Sequence, residues 1–154
     1  MIADLIRDVQ ALGRRIARLE TQSGPGRWVD WTPAVTQSGA VTVTVTEAKY
    51  CVIGKVCHVY ANLAITGTGS AGSVISCSLP VACAASATHS PGVAAGMYYD
   101  NPTRDYPLVV RVTSATTVAF ATVSADGNGW LGITPSFAAA NTDELSFSAT
   151  YRVA

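Results

Sequence analysis

Four cysteines are the residues whose spacing bears most directly on chemistry in this chain of 154 residues. Cys51 and Cys57 flank Val-Ile-Gly-Lys-Val, so a turn at Gly54 would bring them opposite each other, where a cross-strand disulfide is conceivable. Cys77 and Cys83 repeat the six-residue spacing. No signal peptide is evident, so we expect assembly in a reducing cytosol, where buried free thiols are the commoner state. The sequence favours free thiols and leaves disulfides open as the alternative.

No catalytic, metal or cofactor motif accompanies these thiols. The spacing is not Cys-x-x-Cys, so we expect no zinc site. His58 falls inside a strand pattern and His89 in a Ser-Pro loop, and neither belongs to a recognised nucleophile motif. Two carboxylate pairs could serve glycan hydrolysis but are also ordinary turn residues, namely Asp100 with Asp105 and Asp143 with Glu144. We therefore expect no enzyme, no cofactor and no metal.

Aromatic residues give the best candidates for ligand binding. The segment 97–106 concentrates three tyrosines and an arginine, and Trp130 follows a Gly-Asn-Gly turn. Aromatic faces with hydrogen-bonding neighbours suit sugar stacking and equally suit a protein interface. The candidate ligand-binding residues are Tyr98, Tyr99, Arg104, Tyr106 and Trp130. The alternative is that these aromatics cap the core of their domain or line a subunit interface.

The composition indicates which structure must position these residues. Only 13% of residues are charged and 49% are apolar, and Ala, Thr, Ser, Gly and Val are abundant, which is typical of a β-rich protein. The formal net charge is zero, so nothing obvious attracts nucleic acid. No stretch reaches the roughly 18 uninterrupted apolar residues of a transmembrane helix. We expect neither nucleic-acid binding nor membrane insertion.

A heptad pattern occupies the N-terminal segment, 1–21. Apolar residues alternate at spacings of three and four, with Ile2, Val9 and Ile16 at a and Leu5, Leu12 and Leu19 at d. Such a narrow seam is typical of an α-helical coiled coil between copies of the chain. The alternative is an amphipathic helix docked on its own head, which usually has a wider apolar stripe.

Two features of the sequence bear on the number of helices in the coil. β-branched a positions with Leu at d favour dimers in the general rule. Arg15-Ile-Ala-Arg-Leu-Glu20, however, resembles the Arg-apolar-x-x-apolar-Glu motif of short trimeric coiled coils, and we favour a homotrimer. Three heptads with Gly13 inside them make a weak helix, so the heads must also pack together. The oligomerisation residues are Ile2, Leu5, Val9, Leu12, Arg15, Ile16, Leu19 and Glu20.

A Gly/Pro linker over 22–27 ends the helix, and a head domain over 28–154 follows. Short runs with strand character are separated by turn signals and show no helical period. The predicted strands cover 40–46, 50–53, 56–65, 73–79, 93–99, 108–112, 117–123 and 145–153. The sequence predicts a mostly β protein, with an antiparallel β-sandwich or jelly-roll head on a helical coiled-coil stalk.

The order of these parts resembles the tail-fibre and minor tail proteins of bacteriophages, particularly those that infect actinobacteria. The resemblance is carried by Trp28-Val-Asp-Trp-Thr-Pro33, by Tyr50-Cys-Val-Ile-Gly-Lys-Val-Cys-His58 and by Ser78-Leu-Pro-Val81. It implies a trimeric head displayed on a virion, assembled in the host cytoplasm and used for attachment to a glycan or protein of the host cell surface.

The early start of the heptads departs from that family. Its members usually carry a longer N-terminal region that inserts into the tail, whereas the heptads here begin at residue 2. We expect the coiled coil itself to contact other virion proteins. Two alternatives stay open: a capsid decoration or head-fibre protein with a structural role, and a bacterial cytokine-like or lectin module unrelated to phage.

Overall fold

The structure is a computed structural model, and it describes residues 7–15, 26–84, 93–123 and 129–154. Residues 7–15 are helical. The strands of the described chain are β1 (Val29–Asp30), β2 (Val35–Gln37), β3 (Gly39–Val41), β4 (Val43–Ile53), β5 (Val56–Ile65), β6 (Ser76–Ser78), β7 (Val93–Asp100), β8 (Arg104–Ser114), β9 (Thr117–Thr122), β10 (Gly129–Trp130) and β11 (Glu144–Arg152). The prediction of a mostly β protein is confirmed.

The strands form one curled, hydrogen-bonded sheet in which every pairing is antiparallel. Its order is β1-β4-β5-β11-β7-β8-β9-β6-β2-β3, and β10 pairs with β9 beside this path. The C-terminal strand β11 lies between β5 and β7, so the last strand joins the β4–β5 hairpin to the consecutive strands β7, β8 and β9. The predicted antiparallel arrangement is therefore confirmed, as one continuous sheet.

The β4–β5 hairpin shows how local sequence sets the register. Its two-residue turn is Gly54-Lys55, and Gly54 has φ +60°, which only glycine adopts without strain. A positive φ at the first turn residue matches a type II′ turn, whose twist suits antiparallel strands. The register that follows pairs Ile53 with Val56 and Val52 with Cys57.

Alternating residues of the long strands fill one core. Along β5 the inward residues are Cys57, Val59, Ala61, Leu63 and Ile65. Facing residues of β9 and β11 meet there, and the rings of Phe120 and Phe147 pack edge-to-face with centroids 5.2 Å apart. Burial of each such aromatic side chain stabilises the fold by about 1.5–3 kcal/mol.

The predicted strand 40–46 is divided at Thr42, between β3 and β4. The Thr42 carbonyl accepts hydrogen bonds from the N–H groups of Thr66 (2.9 Å) and Gly67 (3.0 Å), outside the β4–β5 register. The valine–threonine alternation of 40–46 is therefore unbroken in sequence, although the chain leaves one strand and enters the next at Thr42. This break lets β3 pair with β2 while β4 pairs with β5.

The predicted coiled coil falls only partly within the described residues. Val9, Leu12 and Arg15 lie on the helix, whereas Ile2, Leu5, Ile16, Leu19 and Glu20 lie outside the described residues. Helix at 7–15 agrees with the predicted type of element for this segment. A single chain tests no contact between copies, so the coiled coil itself stays a prediction.

Candidate functional site

The candidate aromatics Tyr98 and Tyr99 occupy consecutive positions of β7 and point to opposite faces of the sheet. Tyr98 is fully buried in the core, whereas Tyr99 is 38% exposed on the outer face. This is the ordinary alternation of a strand with one buried face. A ligand can therefore reach Tyr99 but not Tyr98, and the five candidate residues do not act as one cluster.

Tyr98 belongs to a buried polar network centred on Asp143. Its hydroxyl donates a hydrogen bond of 2.7 Å to Asp143 Oδ2. The backbone N–H groups of Ala140 (2.8 Å) and Asn101 (3.1 Å) donate to the same carboxylate. Burial, followed by this hydrogen bond, raises the pKa of Tyr98. The carboxylate ties the turn after β7 to the segment before β11, which is a structural role.

Tyr106 also serves the core more than the surface. Its ring stacks on Phe137 at a centroid distance of 5.6 Å, with the two planes 8° apart. Phe137 contacts Tyr98 as well, at 5.2 Å. The three rings cover the end of the core beneath the β7–β8 turn. Tyr98 and Tyr106 thus fit the alternative stated above, in which the aromatics cap the core of their domain.

Tyr99 and Trp130, by contrast, share the outer face of the sheet. Directly opposed residues of antiparallel strands project to one face, and one row across four strands joins Ala95, Val109, Ala121 and Trp130. Tyr99 lies four residues beyond Ala95 in β7, on that same face.

Exposed apolar side chains fill the space between Tyr99 and Trp130. We call this surface the β7–β10 face, and its exposed members are Ala95, Met97, Tyr99, Pro107 and Val123, with Trp130 half-buried at its edge. Arg111 projects from the same face, and its guanidinium lies 5.8 Å from the centre of the Trp130 ring. Exposed aromatic, Met and Arg side chains are typical of binding surfaces.

Arg104, the remaining candidate, does not share the β7–β10 face. It begins β8, is exposed, and pairs with Asp100 across the β7–β8 turn. The residue of β8 opposite Tyr99 is Asp105. Arg104 is a candidate because it lies near the tyrosines in the sequence. Strand register, however, places Asp105 and not Arg104 beside Tyr99.

All four cysteines are buried free thiols. The expectation that a turn at Gly54 would set Cys51 opposite Cys57 is wrong by one residue, because the two-residue turn pairs Cys51 with His58 and Val52 with Cys57. Cys51 and Cys57 therefore project to opposite faces of the hairpin. Burial raises the pKa of the Cys77 thiol to about 12 and also raises the pKa of Cys57. These thiols are inert packing residues.

Two groups of exposed apolar side chains belong to the helix and to the start of the head. On the helix, Val9 and Leu12 are 61% and 57% exposed, so the predicted seam faces solvent in the single chain. At the tip of the β4–β5 hairpin lies a second group, which we call the base patch: Trp28, Val29, Val52, Ile53 and Val56, all exposed. Gly26 packs so close to Ile53 that an added Cβ would lie 2.7 Å from its Cγ1. The chain thus leads from one apolar surface to the other.

Comparison of the chain with protein-family models, with curated proteins and with solved structures found no match. In the part of the chain that the structure describes, no group of three or more His, Cys, Asp or Glu residues is arranged to hold a metal ion. Nor does any helix among those residues have the length and apolar character needed to cross a membrane.

Proposed function

We propose that this chain is a non-enzymatic structural protein of a bacteriophage virion, a trimeric tail-fibre head that attaches to the host cell surface. The observation that carries the proposal is the exposed seam of Val9 and Leu12, followed along the chain by the exposed base patch. Groups of exposed apolar side chains mark surfaces that another molecule covers.

The seam supports assembly from identical copies. Its a/d spacing requires a partner with the same period, and another copy of this chain provides one. The Arg15–Glu20 motif favours three helices, with the arginine stem laid over the apolar core of the coil. Gly13 weakens each helix by up to ~1 kcal/mol relative to Ala, so the short coil needs help from the heads.

The base patch supplies that help in the proposed trimer. It directly follows the linker, so parallel helices bring three base patches close to one axis. Trp28, Ile53 and Val56 are 49%, 52% and 38% exposed in the single chain, and contact between heads covers this remaining apolar area. Each 100 Å² of apolar surface covered contributes roughly 2.5 kcal/mol before the entropy of association is subtracted.

The β7–β10 face supports the attachment role. It faces outward and is rich in the residue types of binding surfaces, with Tyr99 and Trp130 at its two ends. In the proposed particle the coiled coil contacts other virion proteins, and the head, a sandwich or jelly roll, presents this face to a host surface glycan or protein.

Two measurements test the proposal on the purified full chain. Sedimentation equilibrium should give a trimer, and a monomer at every concentration would overturn it. Fluorescently labelled trimer should bind actinobacterial host cells, and Tyr99→Ala with Trp130→Ala should abolish binding, while Thr68→Ala, in the exposed loop after β5, leaves it unchanged. Imaging of labelled virions shows whether the protein lies on the tail or on the capsid. Heads at capsid vertices would overturn the attachment function and favour capsid decoration.

A further inference from the structure

A notch opens at the edge of the sheet where β1 leaves β4. Among the described residues β1 pairs with β4 over two residues only, and the last backbone hydrogen bond joins Trp31 N to Ala48 O at 3.1 Å. Immediately beyond, a β-bulge between Val45 and Glu47 places Thr46 outside the regular ladder. Bulges of this kind re-aim side chains at sheet edges. The gap between the departing strand and the bulge forms a cavity of about 460 Å³.

Polar side chains of several kinds converge on this notch. Its chemistry comes from Asp30, Trp31, Thr46, Glu47, Lys49 and Asn62. The Lys49 ammonium lies 3.2 Å from Glu47 Oε1 and 4.0 Å from Asp30 Oδ1, so one cation stands between two anions. The notch therefore offers carboxylate acceptors, an ammonium donor, a hydroxyl and an amide within one small volume.

Glu47 is held as an ionised acceptor. The Tyr60 hydroxyl donates a hydrogen bond to it, and this bond together with Lys49 holds the pKa of Glu47 below its ordinary value. The same hydrogen bond raises the pKa of Tyr60 to about 12. Both groups are thus fixed in one protonation state across the neutral range, and Glu47 stays oriented towards the notch by its two partners.

Trp31 contributes an apolar wall and an unsatisfied donor. Its indole packs against the core and lines the cavity. The indole Nε1 is buried and has no hydrogen-bond partner. Native structures leave few buried donors unpaired, and each one needs an explanation. The unpaired N–H is thus a donor available to an acceptor oxygen that reaches it.

We propose that this notch binds a neutral saccharide. Vicinal hydroxyls both donate and accept, which matches the closely spaced carboxylate, ammonium and amide groups. The C–H face of a sugar ring fits against the indole. The volume lies in the range of small-ligand sites. An anionic ligand meets an excess negative charge from Asp30 and Glu47, and a cationic ligand has to displace Lys49 from both.

In the proposed attachment function, such a saccharide comes from a glycan of the host cell surface. The inference rests on that function for the source of the ligand. The binding step is tested apart from cells. The purified full chain is titrated with methyl glycosides of glucose, galactose, mannose, rhamnose and N-acetylglucosamine, and with maltose and cellobiose. Saturation-transfer NMR and calorimetry at up to about 10 mM sugar detect dissociation constants in the millimolar range.

At least one of these sugars should bind, and three variants should weaken binding by about tenfold or more, because each removes a hydrogen-bonding group of the site or replaces an acceptor by a donor. The variants are Glu47→Gln, Asn62→Ala and Trp31→Phe, the last of which keeps an aromatic ring at this position while it removes the N–H and reduces the size of the ring system. Asp105→Asn and Asn141→Ala are the exposed controls outside the notch and should leave affinity unchanged. Far-ultraviolet circular dichroism verifies that each variant is folded.

The inference is overturned if no sugar of the panel binds the wild-type chain, or if the three variants bind as tightly as the controls. Cell-binding assays separate this failure from failure of attachment. If cells bind wild type and the Glu47 and Asn62 variants equally, attachment stands and the notch plays no part. If sugars bind at the notch while cells bind nothing, the saccharide site stands and the attachment function fails.

Discussion

The Tyr98 hydroxyl donates a 2.7 Å hydrogen bond to the Asp143 carboxylate at a point where neither side chain reaches solvent. Asp143 lies just before the central strand β11, and Tyr98 lies within its neighbour β7. The carboxylate also accepts the backbone N–H groups of Asn101 and Ala140. One buried carboxylate thus satisfies three donors, two from the end of β7 and the turn after it and one from the segment before β11.

Asp143→Ala should destabilise the head strongly, because it leaves the Tyr98 hydroxyl and two backbone N–H groups buried without an acceptor. Each unsatisfied group costs about 1–3 kcal/mol, so we expect a loss of at least about 3 kcal/mol in the free energy of unfolding. Urea denaturation monitored by tryptophan fluorescence measures it. Tyr98→Phe removes one donor only and should cost about 1–2 kcal/mol. Tyr99→Phe is its control and should change stability by less than about 0.5 kcal/mol.

Asp100 should make stability depend on pH in an unusual direction. Burial, followed by the nearby Asp143 charge, raises the pKa of Asp100 above its ordinary value. The folded state then binds the Asp100 proton more tightly than the unfolded state, so this residue's contribution to stability falls as pH rises through the raised pKa. Asp100→Asn should therefore stabilise the protein at pH 7 and lose that advantage below the unfolded pKa of about 3.9. Equal effects of the substitution at both pH values would contradict this assignment.

The buried thiols should resist both modification and oxidation. Burial keeps the pKa of Cys77 near 12, so its thiolate is scarce at neutral pH. Ellman's reagent should react slowly with the folded protein and with all four cysteines in guanidinium chloride. After mild oxidation of the folded protein, the intact mass should be unchanged, because each disulfide formed would lower the mass by two hydrogens. A fast Cys51–Cys57 disulfide would contradict the register, in which these residues face opposite sides of the hairpin.

The long strands could be predicted from sequence because alternation and turn residues agree there. The predicted strand 56–65 coincides with β5, whose inward residues are apolar throughout, and Gly54 marks the turn before it. The two-residue strands β1 and β10 were not predicted, since such short segments show no periodicity and are held by their partners β4 and β9. The break at Thr42 depends on distant residues of the chain, which local pattern does not report.

The candidate site was predicted less well because faces and register decide it. Alternation alone indicates that Tyr98 and Tyr99 point opposite ways, but pairing of β7 with β11 and β8 determines which one is buried. Likewise, a shift of one residue in the hairpin turn separates Cys51 from Cys57. The notch around Trp31 and Glu47 arises from a bulge and the departure of β1, and the sequence carried no recognisable signal for either.

The helix seam should control assembly. Leu12→Asp places a charge at a d position and should dissociate the oligomer, whereas Gly13→Ala should strengthen it by up to ~1 kcal/mol per chain. A Cβ at Gly13 meets open space in the single chain, so the substitution adds helix propensity without a clash inside the chain. Gln10→Ala, at an exposed position outside the seam, is the control. Sedimentation velocity across a dilution series measures the oligomer mass of all three variants. An unchanged mass for Leu12→Asp would contradict the predicted coiled coil.

The base patch should contribute to assembly separately from the helix. Ile53 is 52% exposed in the single chain although it is apolar and β-branched, and Val123 on the β7–β10 face is 57% exposed. Ile53→Thr keeps the strand propensity of the hairpin but removes apolar area, so it should weaken association by about 1–2 kcal/mol per subunit. Val123→Thr removes a similar exposed side chain far from the proposed axis and should leave association unchanged. If both variants dissociate at the same protein concentration as the wild type, the coil alone holds the copies together. The base patch must then be covered by something other than a second head.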